Sequence, residues 1–448
     1  MGFFIGYGML AAFFIAVVLV LERTRRESGD FTDYAVAGRS FGSWFQTMAF
    51  LNTWLPGTIF IAFAGLAASA GVIGYYVISY SLLAVLFMFF MAQKVFDWGK
   101  AFNLRTQADF VGMRYNSKKV RVIAALIGVL SCFPWLVLGF QSLGLVVWLM
   151  SQGLGFGSLP QEFAALPGLG SDLGPLYYFS IVITGALGSW CWPDIFVRLF
   201  TARSAQAVRN SAVKAAPLMF LFLAIMLTMS MLAHQLPEVA AAPDNVWFLT
   251  AAHGGPFVLA LAGIAVFAAT VGNVNAITAA VGTHTAQDII HIGGADEAKT
   301  TRTARIAVVG ATLLAIAGAV LTVNVTAGLL TLALASYQGI VQLAPALYLG
   351  IFWRKGNAAA AAGGMVVGFA VAVVLQFLYP VSIPALGGLT SGVVGLIANT
   401  LVYVALAYAL PQDERERARI DRLFDDLASA EEDDVAVPAG GLQARPVA

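Results

Sequence analysis

Eleven apolar runs punctuate this chain, and the polar gaps between them alternate between two kinds. The runs cover residues 3–22, 43–70, 73–95, 121–150, 174–197, 211–234, 255–282, 305–324, 327–351, 359–379 and 387–410. Crossing a bilayer core takes about 20 apolar residues of helix. In lipid every backbone polar group must be bonded internally, so helix is the state expected of each run. The fold class expected is an all-α polytopic membrane protein with about 11 transmembrane helices. All 25 Lys and Arg residues fall after the first, third, fifth, seventh and ninth runs and in the tail. The intervening gaps hold Glu162, Asp172, Glu238 and Asp244 but no cation. Basic loops stay on the cytoplasmic side. The pattern therefore predicts an integral protein of a bacterial inner (plasma) membrane, with its N-terminus out and its C-terminus cytoplasmic. The first run has its positive cluster after the apolar stretch, not before it, which reads as an uncleaved span.

Composition agrees with that pattern: 59% hydrophobic and 11% charged, against about 25% charged in a soluble domain. Cys132 and Cys191 both lie within apolar runs and read as small buried residues. The four histidines have no metal-ligand spacing. No phosphate-binding loop or nucleophile constellation is present, so no enzyme is predicted. No nucleic-acid partner and no cofactor is expected beyond a coupling ion. Beyond Pro411 the expectation is a cytoplasmic tail, 411–448, with a short surface helix over Asp413–Ala428 and a disordered acidic, then Gly/Pro/Ala-rich end from Glu431. Residues 1–410 are expected to form one transmembrane domain.

Several runs carry polar or helix-breaking residues that lipid would not tolerate. Asn52-Thr53-Trp54-Leu55-Pro56-Gly57 interrupts the second run. Proline there removes a backbone donor and clashes with the preceding turn, freeing carbonyls at mid-membrane depth. The seventh run holds Gly272-Asn273-Val274-Asn275, and the ninth Ser336-Tyr337-Gln338-Gly339. Ser189-Trp190-Cys191-Trp192-Pro193-Asp194 closes the fifth. Helix position and polarity select Asn52, Thr53, Trp54, Gln141, Trp190, Asn275, Tyr337 and Gln338 as the candidate substrate cavity.

Four pieces, in order, resemble the sodium:solute symporter family, relatives of the proline, pantothenate, monocarboxylate and glucose carriers. They are Asp33-Tyr34 with Ala37-Gly38-Arg39-Ser40-Phe41-Gly42; Thr106-Gln107-Ala108-Asp109-Phe110 with Arg114-Tyr115 and Ser117; Asp288; and Gly350 through Asn357 with Gly363 and Gly368. The resemblance implies a leucine-transporter-like bundle of two inverted five-helix repeats. It also implies a sodium site between the broken first core helix and the eighth, built from Asn52, Leu55, Ala269, Gly272 and Asn273. Two departures stand out. Relatives carry two hydroxyl residues where this chain has Gly272-Asn273. Between Arg121 and Leu176 there is room for one core helix where relatives have three, so the five-plus-five bundle is expected to be incomplete, without the fourth and fifth core helices.

The expected function of the 1–410 transporter domain is secondary active transport by alternating access: the expected partners are a small organic solute (a monocarboxylate, an amino acid or similar), sodium or a proton as coupling ion, and the lipid bilayer. A transporter-derived solute sensor and an inactive deletion variant are the competing expectations.

Overall fold

The computed structural model describes residues 2–24, 35–149, 168, 173–290, 296–322 and 329–436. Its long helices follow the apolar runs. They are α1 (Gly2–Thr24), α2 (Ser43–Trp54), α3 (Ala62–Ala70), α4 (Tyr76–Ala101), α5 (Gln107–Arg114), α6 (Lys118–Leu149), α7 (Pro175–Gly188), α8 (Pro193–Thr201) and α9 (Ala205–Ala233). Two short helices, α10 (Pro237–Ala241) and α11 (Val246–Ala252), lead into α12 (Pro256–His284). The remainder are α13 (Glu297–Thr322), α14 (Leu329–Ile340), α15 (Ala344–Phe352), α16 (Ala358–Leu378), α17 (Ser391–Ala409) and α18 (Glu414–Ala436).

Among the described residues, six helical stretches are long and apolar enough to cross a bilayer, and α7 with α8, bent by 52°, make a seventh. One of the six, Gly57–Ala101, runs through both α3 and α4; taking α3 with α2 as one span and α4 as the next, α1, α6 and the interrupted pair α14–α15 account for the rest of the eleven runs. Helices overrun the predicted ends mainly where Lys and Arg follow: α4 continues past Lys94, and α9 and α13 start before Arg209 and Arg302. Apolar runs stop at charges, but backbone hydrogen bonding does not, and long basic side chains reach the interface from within a helix.

The girdle of the bundle is apolar: Phe90, Leu221, Leu321, Phe377 and Leu401 all stand exposed. The basic gaps meet at one end, and there the family-like pieces meet as well. Arg39 Nη2 donates to Leu104 O (2.8 Å), at the edge of the second piece. Thr106 Oγ1 donates to Asp288 Oδ2 at 2.8 Å. Arg114 donates through Nε to Gly350 O (3.0 Å) and through Nη2 to Trp353 O (2.7 Å). Stretches separated by up to 239 positions thus form one hydrogen-bonded floor. Asp33 and Tyr34 lie outside the described residues.

The tail differs from expectation. Its helix continues through Glu431 to Ala436, and residues 437–448 lie outside the description. It is docked, not loose: Phe424 packs edge-on against Trp98 at 5.6 Å, Arg419 Nη2 donates to Arg114 O at 2.8 Å, and Leu427 is buried. Burial of one apolar face holds the helix beyond the point where composition alone turns polar.

Between α6 and α7 the description holds only Gly168 and a short approach to Pro175. α6 packs against α12, α13 and α14. The third core helix of the first repeat therefore touches its counterpart and the last two helices of the second. Inverted symmetry would give α12 two equivalent neighbours, the fourth and fifth helices, and the described residues hold neither. What packs on α12 instead is α1, with Phe13 edge-on to Phe267 at 6.1 Å.

Candidate functional site

Two helix interruptions converge on α12, and a third lies against the second. At the first, α2 ends at Trp54; Leu55 (φ −109°, ψ 67°) and Pro56 (ψ 166°) leave helical geometry. A 3₁₀ turn, Gly57–Phe60, then carries the chain into α3. In an unbroken helix the Gly57 N–H would bond the Thr53 carbonyl. That carbonyl accepts instead from Asn273 Nδ2 on α12, at 3.0 Å and fully buried. The break approaches α12 so closely that a Cβ on Gly57 would overlap Thr270 Oγ1 and lie 2.8 Å from Val266 O. One turn along, Gly272 leaves a hollow filled by the Asn52 carboxamide. The glycine standing where relatives have a hydroxyl is thus matched by an amide reaching in from α2.

The second interruption lies between α7 and α8. A 3₁₀ turn, Ser189–Cys191, is followed by extended Trp192 (ψ 127°), with Pro193 opening α8. The third is a 3₁₀ turn, Val341–Leu343, between α14 and α15. The first two breaks border a cavity of about 30 Å³. Thr53, Trp54, Tyr80, Trp135, Trp192, Asp194, Asn273 and Tyr337 are among its walls. A larger concavity, about 740 Å³, is an open apolar groove on α9, remote from the breaks.

The sequence candidates divide. Thr53, Trp54, Asn273 and Tyr337 line the cavity; Trp54 Nε1 donates to Ser81 Oγ at 2.9 Å and Tyr337 OH reaches Tyr80 OH at 3.4 Å. Asn52, Gly272 and Asn273 come together at the break, flanked by half-buried Leu55 and Ala269. Trp190 is fully buried in the core: its indole donates to Ala84 O at 2.9 Å and stacks on Phe50. Gln338 is taken up by α17, its Oε1 accepting from Gly392 N (2.9 Å) and Thr390 Oγ1 (3.2 Å). Asn275 is exposed on the outer side of α12. Gln141 lies in α6 with its side chain outside the description. Tyr80, Trp135, Trp192 and Asp194 were missed as cavity residues. Asp194 carried a signal, an acid inside an apolar run; Tyr80 and Trp135 sit among apolar neighbours and gave none.

Below the cavity, at the basic end, lies a buried ion network. Arg121 bridges Asp288 (2.7 Å) and Asp109 (3.0 Å), and His284 Nδ1 is 3.0 Å from Asp288 Oδ2. Asp109 Oδ2 also accepts from Gln287 Nε2 at 2.9 Å. Burial pushes the Asp109 carboxyl above its ordinary range, and the Arg121 guanidinium pulls it back.

Comparison with known proteins finds the same family as the four sequence pieces. Residues 168–368 match the model of the Sodium:solute symporter family. The chain is 23% identical to the Uncharacterized symporter YodF of Bacillus subtilis (strain 168), an alignment covering 93% of this chain and 97% of that protein. It runs over 498 positions, of which 93% of 448 residues fills about 417, leaving roughly 80 without a counterpart here. That shortfall fits two helices with their loops. The Monocarboxylate transport permease protein of Rhizobium johnstonii is 26% identical, but over only 30% of this chain and 26% of that protein. Among solved structures, the fold matches a substrate-bound, outward-open Na+-coupled sialic acid symporter with TM-score 0.74 and 13% identity, covering 91% of this chain and 99% of that one.

Proposed function

Built like a sodium:solute symporter, the chain is, we propose, a secondary active transporter that carries a small organic solute by alternating access, with sodium as coupling ion. The observation that carries this reading is the meeting of the broken α2–α3 and α7–α8 pairs at one enclosed cavity against α12. Irregular backbone at membrane depth is tolerated only where it lines protein or a cavity, and transporters use it to hold ions and substrate. The ion is assigned to the junction of the α2–α3 break with α12, where Asn52 and Asn273 offer amide oxygens beside the backbone of Leu55 and Ala269. Thr53, Trp54 and Tyr337 face the solute. The N-terminus lies outside, and the basic end with α18 is cytoplasmic in a bacterial plasma membrane.

One sodium ion entering at 100 mV releases about 2.3 kcal/mol. A tenfold sodium gradient adds about 1.4 kcal/mol. Together they sustain a solute gradient of several hundredfold, on the order of 10² to 10³, so one ion per cycle suffices. The test is uptake of radiolabelled solutes into proteoliposomes with and without an inward sodium gradient. Concentrative uptake that disappears when sodium is replaced by choline-free potassium medium is expected. Uptake driven equally by a proton gradient removes sodium from the reading, and saturable binding without uptake replaces the carrier with a sensor.

A further inference from the structure

We infer that the basic-end start of α2 carries a binding site for the phosphate of an anionic phospholipid, built from Arg203, Lys214 and Ser43. The site lies apart from the cavity and does not depend on what the protein carries.

A backbone bridge assembles it. Phe41 N–H donates to Thr201 O and Arg203 N–H to Phe41 O, both at 3.0 Å. This sets the residues leading into α2 alongside the link from α8 to α9. A Cβ built on Gly42 would lie 3.7 Å from Arg203 Cζ. On the next residue, Ser43 Oγ accepts from Lys214 Nζ at 2.9 Å. Two cations thus flank adjacent residues at the head of one helix.

The cations that build the floor nearby are answered differently. Arg105 pairs with Glu297, Arg121 with Asp288 and Asp109, Arg354 with Asp421 and Asp425, and Arg419 with Glu416. Arg203 and Lys214 form no ion pair with any described Asp or Glu. Like charges held close together repel, and an anion between them turns that repulsion into attraction. A guanidinium can present two parallel donors to a phosphate, with Lys214 acting as a point charge. The Ser43 hydroxyl, accepting from Lys214, keeps its own proton to donate.

Depth decides what bears the phosphate. From Lys214 to Ala233, where α9 ends, the helix rises about 28 Å, close to the thickness of a bilayer's hydrocarbon core. Lys214 therefore stands at the boundary, level with the head groups. Toward the core the side chains face lipid: Leu218 and Leu221 on α9 are exposed, as are Trp44 and Phe45 in the first turn of α2. A tryptophan at that level is where the interface favours one. A phospholipid matches both halves, its phosphate the cations and its chains the apolar side. A soluble anion matches only the first. Cation clusters facing the cytoplasmic leaflet draw anionic lipid at about fivefold per Lys or Arg, equivalent to about 1 kcal/mol. Bound there, the lipid anchors the start of α2, whose other end is the break at Pro56.

The experiment is native mass spectrometry of the delipidated full-length protein, titrated with phosphatidylglycerol, with phosphatidylcholine and with inorganic phosphate. Phosphatidylglycerol is expected to fill one site more tightly than phosphatidylcholine. Lys214→Gln and Arg203→Gln should each weaken that site about fivefold, and the pair together about 25-fold. Arg422→Gln, which removes an exposed cation from the tail helix α18, should leave it unchanged. Each variant is first shown to elute as the wild type does. Equal affinity for the two lipids, or equal losses in Arg422→Gln and Lys214→Gln, would overturn the inference. Displacement of phosphatidylglycerol by inorganic phosphate at equal concentration would also overturn it, by making the ligand a soluble anion.

Discussion

The two glycines at the α2–α12 junction look alike in sequence but are held to different standards by their surroundings. A methyl group on Gly57 would run into Thr270 Oγ1 and the backbone carbonyl of Val266. The carbonyl belongs to a packed helix and cannot retreat, so Gly57→Ala is expected to cost about 1–3 kcal/mol through overpacking. A side chain on Gly272 meets only the end of Asn52, an exposed residue free to swing aside. Gly272→Ser should therefore cost little, under about 0.5 kcal/mol, as a surface change does. It should also make Asn52→Ala silent, because the serine has already displaced the amide from the hollow. Thermal unfolding of the four variants of that pair, with Gly57→Ala alongside, checks both statements. Additive effects of Gly272→Ser and Asn52→Ala would mean the two side chains do not share the space. The sequence showed that a hydroxyl was missing at 272. It did not show that an amide 220 positions away in α2 takes the place, since that depends on how closely two helices approach.

At the level of elements, the breaks were legible because proline announces them: Pro56 and Pro193 each sit at the observed interruption. The aromatic walls were not. Tyr80 and Trp135 fall in apolar runs where ring side chains face lipid as often as protein, and only the packing of α4 and α6 decides. The polar residues near the breaks were legible as polar but not as to direction: Gln338 turns to α17 and Asn275 to the outside. The ion network beneath the cavity ties α5, α6 and the end of α12 through a single guanidinium. Asp288 has no exposed side-chain surface, and Arg121 and Asp109 have little. Removing one member of a buried pair strands the other, at about 3–5 kcal/mol. Arg121→Ala is accordingly expected to lower the unfolding temperature sharply, while Arg354→Ala, whose partners Asp421 and Asp425 are exposed, should cost no more than about 1 kcal/mol and leave that temperature nearly unchanged. Equal effects in differential scanning calorimetry would show that the network is not the latch its geometry describes.

In the whole molecule, the described residues hold neither the fourth nor the fifth core helix of the first repeat, and something else must close the bundle around α12. An even loss keeps every later helix in its original direction, which is why the basic residues still gather at one end. It does not keep α12 covered, because inverted symmetry assigns two neighbours to that face. In a membrane the vacancy is not driven shut by water; packing and lipid entropy decide what fills it. Here α1 lies on α12, through Phe13 against Phe267 among others. If α1 stands in for an absent core helix, the contact is part of the closed bundle and persists in the bilayer. Cysteines placed at both positions, Phe13→Cys with Phe267→Cys, are then expected to cross-link in membranes with a short bis-maleimide. Phe14, 55% exposed and turned about 100° from Phe13 around α1, supplies the control, and Phe14→Cys with Phe267→Cys should not cross-link. The native thiols Cys132 and Cys191 are buried and contribute no background. Cross-linking of the control pair but not of the first would place a different face of α1 on α12. Cross-linking of neither would mean that α1 does not substitute for the absent helices, and that α12 meets lipid directly where a complete symporter would cover it.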